Sequence, residues 1–161
     1  MRFFRPVPRI SPAAPEHAAE LAAVLLAAWE PHRSQLSDAL WEELTPPEAE
    51  VAAWLRGGFE VYRVSFESQP VGVVRVAFPT GVCVLDRLAV TPEHRRRGFG
   101  EYVAEHAVNR ARRVGAGRVW ARVPEGIQEG VRLFRKLGFS EVAVEEGRVR
   151  PWRLVLLDRA L

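Results

Sequence analysis

Arg95-Arg96-Arg97-Gly98-Phe99-Gly100 sets three guanidinium groups before two closely spaced glycines, and a helical pattern follows at once. The chemistry that suits these residue types is anion binding. A helix N-terminus carries about half a positive charge and several N–H groups with no intrahelical acceptor. Gly98 and Gly100 let a ligand approach the backbone and can adopt the positive φ that converges successive N–H groups on one point. The residues alone are equally consistent with a solvated helix start, because a bare Gly-x-Gly is weak evidence for a ligand. Walker spacing is absent, and antiparallel strands ahead of the loop disfavour a dinucleotide-binding unit.

The elements that must position this loop are legible from periodicity. "MRFFRPVPRI" reads as a strand that Pro6 and Pro8 confine to a sheet edge. A helix runs from Pro15 to Trp29. A second helical region covers Ser37 to Leu55, interrupted at Thr45-Pro46-Pro47-Glu48, where a capping-box spacing and Pro at the first helical position restart it. Gly57-Gly58 ends it. "FEVYRVSFE" and "VGVVRVAF" form a hairpin around Ser68-Gln69-Pro70, and "GVCVLDRLAV" is a third long strand. Val103, Ala107, Ala111 and Val114 then form the apolar stripe of the loop's helix, which Gly115 and Gly117 follow. "RVWARV" is a short strand. The next helix turns Ile127, Gly130, Val131, Phe134 and Leu137 one way, and two strands around Glu146-Gly147 close the chain, with Pro151 leaving part of the last one unpaired. This order predicts an α/β (α+β) fold, a single domain over residues 1–161 with a mixed, mostly antiparallel sheet flanked by about four helices.

At Arg95–Gly100 the sequence resembles the GNAT superfamily of acyl-CoA-dependent N-acetyltransferases, whose signature is Arg/Gln-x-x-Gly-x-Gly/Ala. The preceding strand ends in Leu88-Ala89-Val90, and Leu137-Gly138-Phe139 fits the family's second motif. The resemblance covers most of the chain. It implies acetyl-CoA as co-substrate and no metal. The pantetheine arm would lie along the backbone of Leu88, Ala89 and Val90 as an added strand. The N–H groups of Arg95, Arg96, Arg97, Gly98, Phe99 and Gly100 would hold the pyrophosphate, and the acyl group would lie where this strand splays from "RVWARV".

The match is incomplete at two positions. Ile127 stands where family members commonly carry Asn, with Gln128 beside it, and Phe134 stands where they carry the Tyr that protonates the departing thiolate. Phe134 remains among the expected cofactor contacts, and the helix stripe also explains it as a core aromatic. Asp86, two residues before Leu88, is the first candidate to accept the amine's proton, ahead of Glu93 and Glu43. An Asp-Arg pair on a strand also fits a surface or bulge position. Cys83 among valines reads as core, and His94 as a residue bordering the phosphate site. The acceptor, a small-molecule or peptide amine, would meet "EPHRSQLSDALWEEL", with Trp29, His32, Arg33, Trp41, Glu42 and Glu43 available.

Two alternatives compete with catalysis. Ile127 and Phe134 leave room for a CoA-binding regulatory module with little turnover. Arg110, Arg112, Arg113 and Arg118 could serve nucleic acid, although arginines at a helix C-terminus favour its dipole without any partner. The formal charge of +3 over 161 residues suits one local anion site better than a nucleic-acid groove. One cysteine excludes an internal disulfide and a multi-cysteine zinc site, which suits a reducing compartment, so the cytoplasm is the expected location. No apolar run approaches the roughly 18 residues of a membrane span. A homodimer is one assembly open to such a chain.

Overall fold

Helix gives way to strand at Gly57-Gly58, where Gly58 takes a φ of 83°. In the computed structural model, which describes residues 6–147 and 153–161, the elements before that point are β1 (Arg9–Pro12), α1 (Ala18–Trp29), α2 (Asp38–Leu44) and α3 (Glu48–Arg56). After it come β2 (Glu60–Phe66), β3 (Gln69–Ala77), β4 (Val82–Val90), α4 (Phe99–Arg113), β5 (Arg118–Pro124), α5 (Gln128–Lys136), β6 (Ser140–Glu146) and β7 (Arg153–Ala160). Seven strands form one sheet in the order β1-β2-β3-β4-β5-β7-β6. β4 and β5 run parallel and every other neighbouring pair is antiparallel.

The two faces of the sheet carry separate cores, as period-2 alternation requires. Val74 packs with Val103, Ala107, Ala111 and Phe134 of α4 and α5. Its neighbour Val73 packs with Leu21, Leu25, Val51 and Trp54 of α1 and α3. The sheet is therefore clamped between α1–α3 on one side and α4–α5 on the other.

Several local expectations change. The hairpin turn lies at Glu67 and Ser68, with φ of 51° and 64°, and Gln69 already opens β3. Two left-handed residues make the tight turn whose twist matches the strands, and Pro70 is tolerated because it pairs with Ser65 beside a bulge. Thr45 does not form the expected capping box: its hydroxyl donates to Trp41 O at 2.6 Å and closes α2, while Pro47 occupies the N-cap of α3 without a side-chain bond. The interrupted second region is thus two helices, giving five α-helices among the described residues. Val114 is 43% exposed and leaves the α4 stripe. β1 starts at Arg9, so the expected strand over the first ten residues falls partly outside the described residues, as does Pro151.

Candidate acetyl-CoA site

The glycine loop turns on two left-handed residues, Arg96 with a φ of 61° and Gly98 with a φ of 76°. α4 starts immediately after them, and its first backbone bond runs from Tyr102 N–H to Gly98 O at 3.0 Å. The N–H groups ahead of that bond have no helical acceptor. Arg95 faces away from this turn. Its N–H donates to Pro92 O at 3.3 Å and its Nε to Val90 O at 3.1 Å. Its Nη1 lies 3.2 Å from His32 Nε2, and its Nη2 donates to Ala28 O at the end of α1. Burial pushes the Arg95 pKa down, against the pull of Glu129 and Glu93. Arg95 is a strut between loop and helix, and the donors left for an anion belong to Arg96 through Gly100.

The two glycines are needed for different reasons. A Cβ on Gly98 would meet nothing within 4 Å, so its glycine answers to backbone conformation and open space. A Cβ on Gly100 would fall 2.7 Å from Leu133 Cδ1, so that glycine lets α4 approach α5. The Phe99 side chain is 2% exposed, tilted against Phe66 at 5.1 Å and stacked on His94 at 6.1 Å. His94 is held by Thr91, whose Oγ1 lies 3.0 Å from its Nδ1.

β4 and β5 pair from Val82↔Arg118 to Leu85↔Ala121 and then part, although β4 continues to Val90 and β5 to Pro124. From Asp86 onward the β4 edge towards β5 has no strand partner. A bulge accompanies the split: β3 advances from Val73 to Arg75 while β4 covers Ala89 to Asp86, and the extra residue includes Arg87 with a φ of 54°. Leu88, Ala89 and Val90 thus lie on an open edge that leads to the loop, with Val90 O already held by Arg95.

A charge cluster fills the α1–α3 side of this split. Arg75 donates to both oxygens of Asp86, Nε to Oδ1 at 2.7 Å and Nη2 to Oδ2 at 2.8 Å, with both residues buried. Arg122, one residue beyond the last β4–β5 pair, reaches Asp86 Oδ2 at 3.4 Å and Glu145 at 2.9 Å. Arg87 donates to Glu43 Oε2 at 3.1 Å. Glu43 lines a cleft of about 490 Å³ with Trp41, Glu42, Thr45, Pro47 and Glu50. The arginines of this cluster escape sequence reasoning; their one signal is charge at inward positions of apolar strands.

A family model described as the acetyltransferase (GNAT) family matches residues 21–139, which spans the loop, the split and both motif helices. The chain belongs to the GNAT acetyltransferase family. A GNAT structure from Rhodopseudomonas palustris covers 100% of both chains with a TM-score of 0.82 at 21% identity. A ribosomal-protein-alanine N-acetyltransferase from Brucella melitensis covers 95% of this chain and 99% of its own, with a TM-score of 0.73 at 21% identity. These show a shared fold. Streptothricin acetyltransferase of Streptomyces lavendulae is 32% identical over 56 residues, 35% of this chain and 30% of that protein. The ribosomal protein bS18-alanine N-acetyltransferase of Escherichia coli is 29% identical over 73 residues, 42% of this chain and 49% of that protein. The matched stretches span less than half of either curated relative.

Within this GNAT fold, Phe134 is 1% exposed and packs edge-on against Phe139 at 5.1 Å. Internal contacts alone account for its burial. Ile127 is the N-cap of α5, buried in the α1–α3 core, and Gln128 accepts from Arg132. Cys83 is fully buried, and desolvation, helped by Glu60, pushes its thiol up to about 12, which closes an acyl-cysteine route. Arg110 is paired with Glu60, Arg118 with Asp158 and Arg112 with Asn109, so three of the four arginines that could have served nucleic acid are engaged within the protein, and Arg113 is exposed. Trp29 is buried, whereas Trp41 borders the cleft beneath Arg33 at 4.9 Å. Glu93 is exposed on the loop's approach. Among the described residues no group of three His, Cys, Asp or Glu is placed to hold a metal, and no helix is long and apolar enough to cross a membrane.

Proposed function

We propose that the chain transfers an acetyl group from acetyl-CoA to a primary amine by direct attack. The parting of β4 from β5, directly before a glycine turn at the N-terminus of α4, is the observation that carries this reading. The N–H groups of Arg96 to Gly100 hold the pyrophosphate, with exposed Arg96 and Arg97 adding charge. The open edge at Leu88–Val90 receives the pantetheine arm, and the thioester lies in the gap.

The amine nitrogen bonds to the acetyl carbon, the carbon–sulfur bond breaks with its electron pair going to sulfur, and the nitrogen gives up one proton. Asp86 is a poor acceptor for that proton because Arg75 engages both its oxygens. We assign Asp86 to holding the bulge and Glu43, which lines the cleft, to proton acceptance, directly or through water. Phe134 has no O–H to offer the thiolate. A thiol with pKa near 8.5 leaves without much help, and the missing acid costs about 10²-fold in rate.

Thermal unfolding with and without acetyl-CoA tests binding: a ligand at about 100 times its dissociation constant adds near 2.7 kcal/mol. Thiol release across a panel of amines tests turnover. Stabilisation without thiol release from any amine would instead favour the second reading, a CoA-binding regulatory module, to which Phe134 and Ile127 lend support. The single, buried cysteine fits a chain acting in the cytoplasm.

A further inference from the structure

Arg87 is an unusual residue for a strand. Its side chain is only 9% exposed, its φ is 54°, and its Nε is buried with no hydrogen-bond partner. Across the split Arg122, its side chain 24% exposed, also has a buried Nε with no hydrogen-bond partner. The two stand on either side of the gap, Arg87 two residues beyond Leu85 on β4 and Arg122 one residue beyond Ala121 on β5. Asp86 does not take up these donors: Arg75 holds both its oxygens, and Arg122 reaches it at 3.4 Å through Nη1 and Glu145 through Nη2, leaving Nε unbonded. Buried N–H groups of a charged side chain are costly to leave unpaired, and two in one cluster at the mouth of a proposed reaction site call for an oxygen-rich ligand. Desolvation also pushes the Arg87 pKa down, a burden that a bound anion would relieve.

Glu43 adds the opposite sign. It stands 3.1 Å from Arg87 and lines the cleft, so one ion pair presents an acid and a base side by side. A ligand that carries both charges on neighbouring atoms can open that pair and satisfy each half.

We propose that the acceptor is an amine with an adjacent carboxylate, an amino-acid-like zwitterion, whose carboxylate is received by Arg87 and Arg122 and whose ammonium is received by Glu43. This rests on the acetyl-transfer reading above. A guanidinium fork matches a carboxylate, and the nitrogen would sit beside Glu43, which takes one proton from the ammonium to free its lone pair; the second proton leaves as the nitrogen–carbon bond forms and passes through water to the departing thiolate. A peptide N-terminus lacks the carboxylate, and a polyamine would set further positive charge against two arginines. Either would leave both Nε donors unpaired.

The test uses the full chain with saturating acetyl-CoA and matched acceptors: L-phenylalanine, L-phenylalaninamide and phenethylamine, with the corresponding leucine series, an alanine-initiated peptide and spermidine. The free acids should be acetylated at least about tenfold more efficiently than their amides, the scale of one charge-assisted hydrogen bond. Arg122→Gln should raise the KM of the acids at least about tenfold and remove their advantage, while the stabilisation by acetyl-CoA persists. Arg122→Lys, which keeps the charge and loses the fork, should retain part of the preference. Amides, peptide or spermidine used as well as the acids would overturn the proposal, as would an unchanged preference in Arg122→Gln or no acetylation of any acid. Failure of acetyl-CoA to stabilise the wild-type chain would instead bring down the reading beneath it.

Discussion

Arg75 grips Asp86 through two parallel hydrogen bonds across β3 and β4, at the point where β4 bulges away from its neighbour. Trp54 and Phe59 lie against the same guanidinium, at 4.6 and 4.1 Å, and seal the pair from water. A buried ion pair is weak evidence for net stability, but removing one partner strands the other's charge.

Asp86→Asn should therefore cost about 3–5 kcal/mol, read from urea unfolding, as breaking a buried pair typically does. An Asp86 that served only as a proton acceptor would give a slow variant of normal stability. Unfolding and turnover measured on the same protein separate these roles.

The two glycines of the loop should respond differently. Gly98→Ala forces a Cβ residue into the left-handed region at about 1–2 kcal/mol and should weaken stabilisation by acetyl-CoA. In Gly100→Ala the new Cβ meets the far end of the Leu133 side chain, which can rotate away, so the acetyl-CoA response should be retained. Thermal shifts of both variants against acetyl-CoA concentration decide the matter.

Phe134→Tyr restores the residue common in the family at this position. Here it sets a hydroxyl into a packed core beside Phe139. The variant should lose about 1–3 kcal/mol, the usual cost of an unsatisfied buried polar group, without gaining rate. Faster thiol release by a variant of unchanged stability would show that the hydroxyl reaches the thiolate.

Stability should fall at both ends of the pH scale. Hydrogen bonds from Arg63, Arg110 and Arg118 lower the pKa values of Glu20, Glu60 and Asp158 from ordinary values of 4.5, 4.5 and 3.8. Their contribution is complete above those values and is lost as pH falls through the lower, folded ones. Burial pushes Cys83 and Tyr62 up to about 12, so the unfolded chain sheds these protons first and stability declines as pH rises above about 9. The urea midpoint between pH 3 and 10 traces both limbs. Cys83 should stay unreactive to a thiol reagent at pH 8 until the chain unfolds, and native-state labelling at the unfolded rate would contradict its burial.

Element type and order were legible in the sequence because helix and strand periodicities are local: the stripe through Val103, Ala107 and Ala111 and the alternation in β2 to β4 need only neighbours along the chain. The glycine loop was legible too, since a left-handed turn into a helix leaves its mark in Gly98. Tertiary structure alone decided what each charged side chain meets. Arg95 lies among loop residues but braces Ala28, 67 positions away, and Asp86 meets Arg75 because strand register sets the two opposite each other, and Arg122 because β5 runs alongside β4. Gly100 is glycine for Leu133, a contact between two helices that no local pattern encodes. Such pairings depend on which strands adjoin and where they part, and those are set by long-range register rather than by the residues on either side.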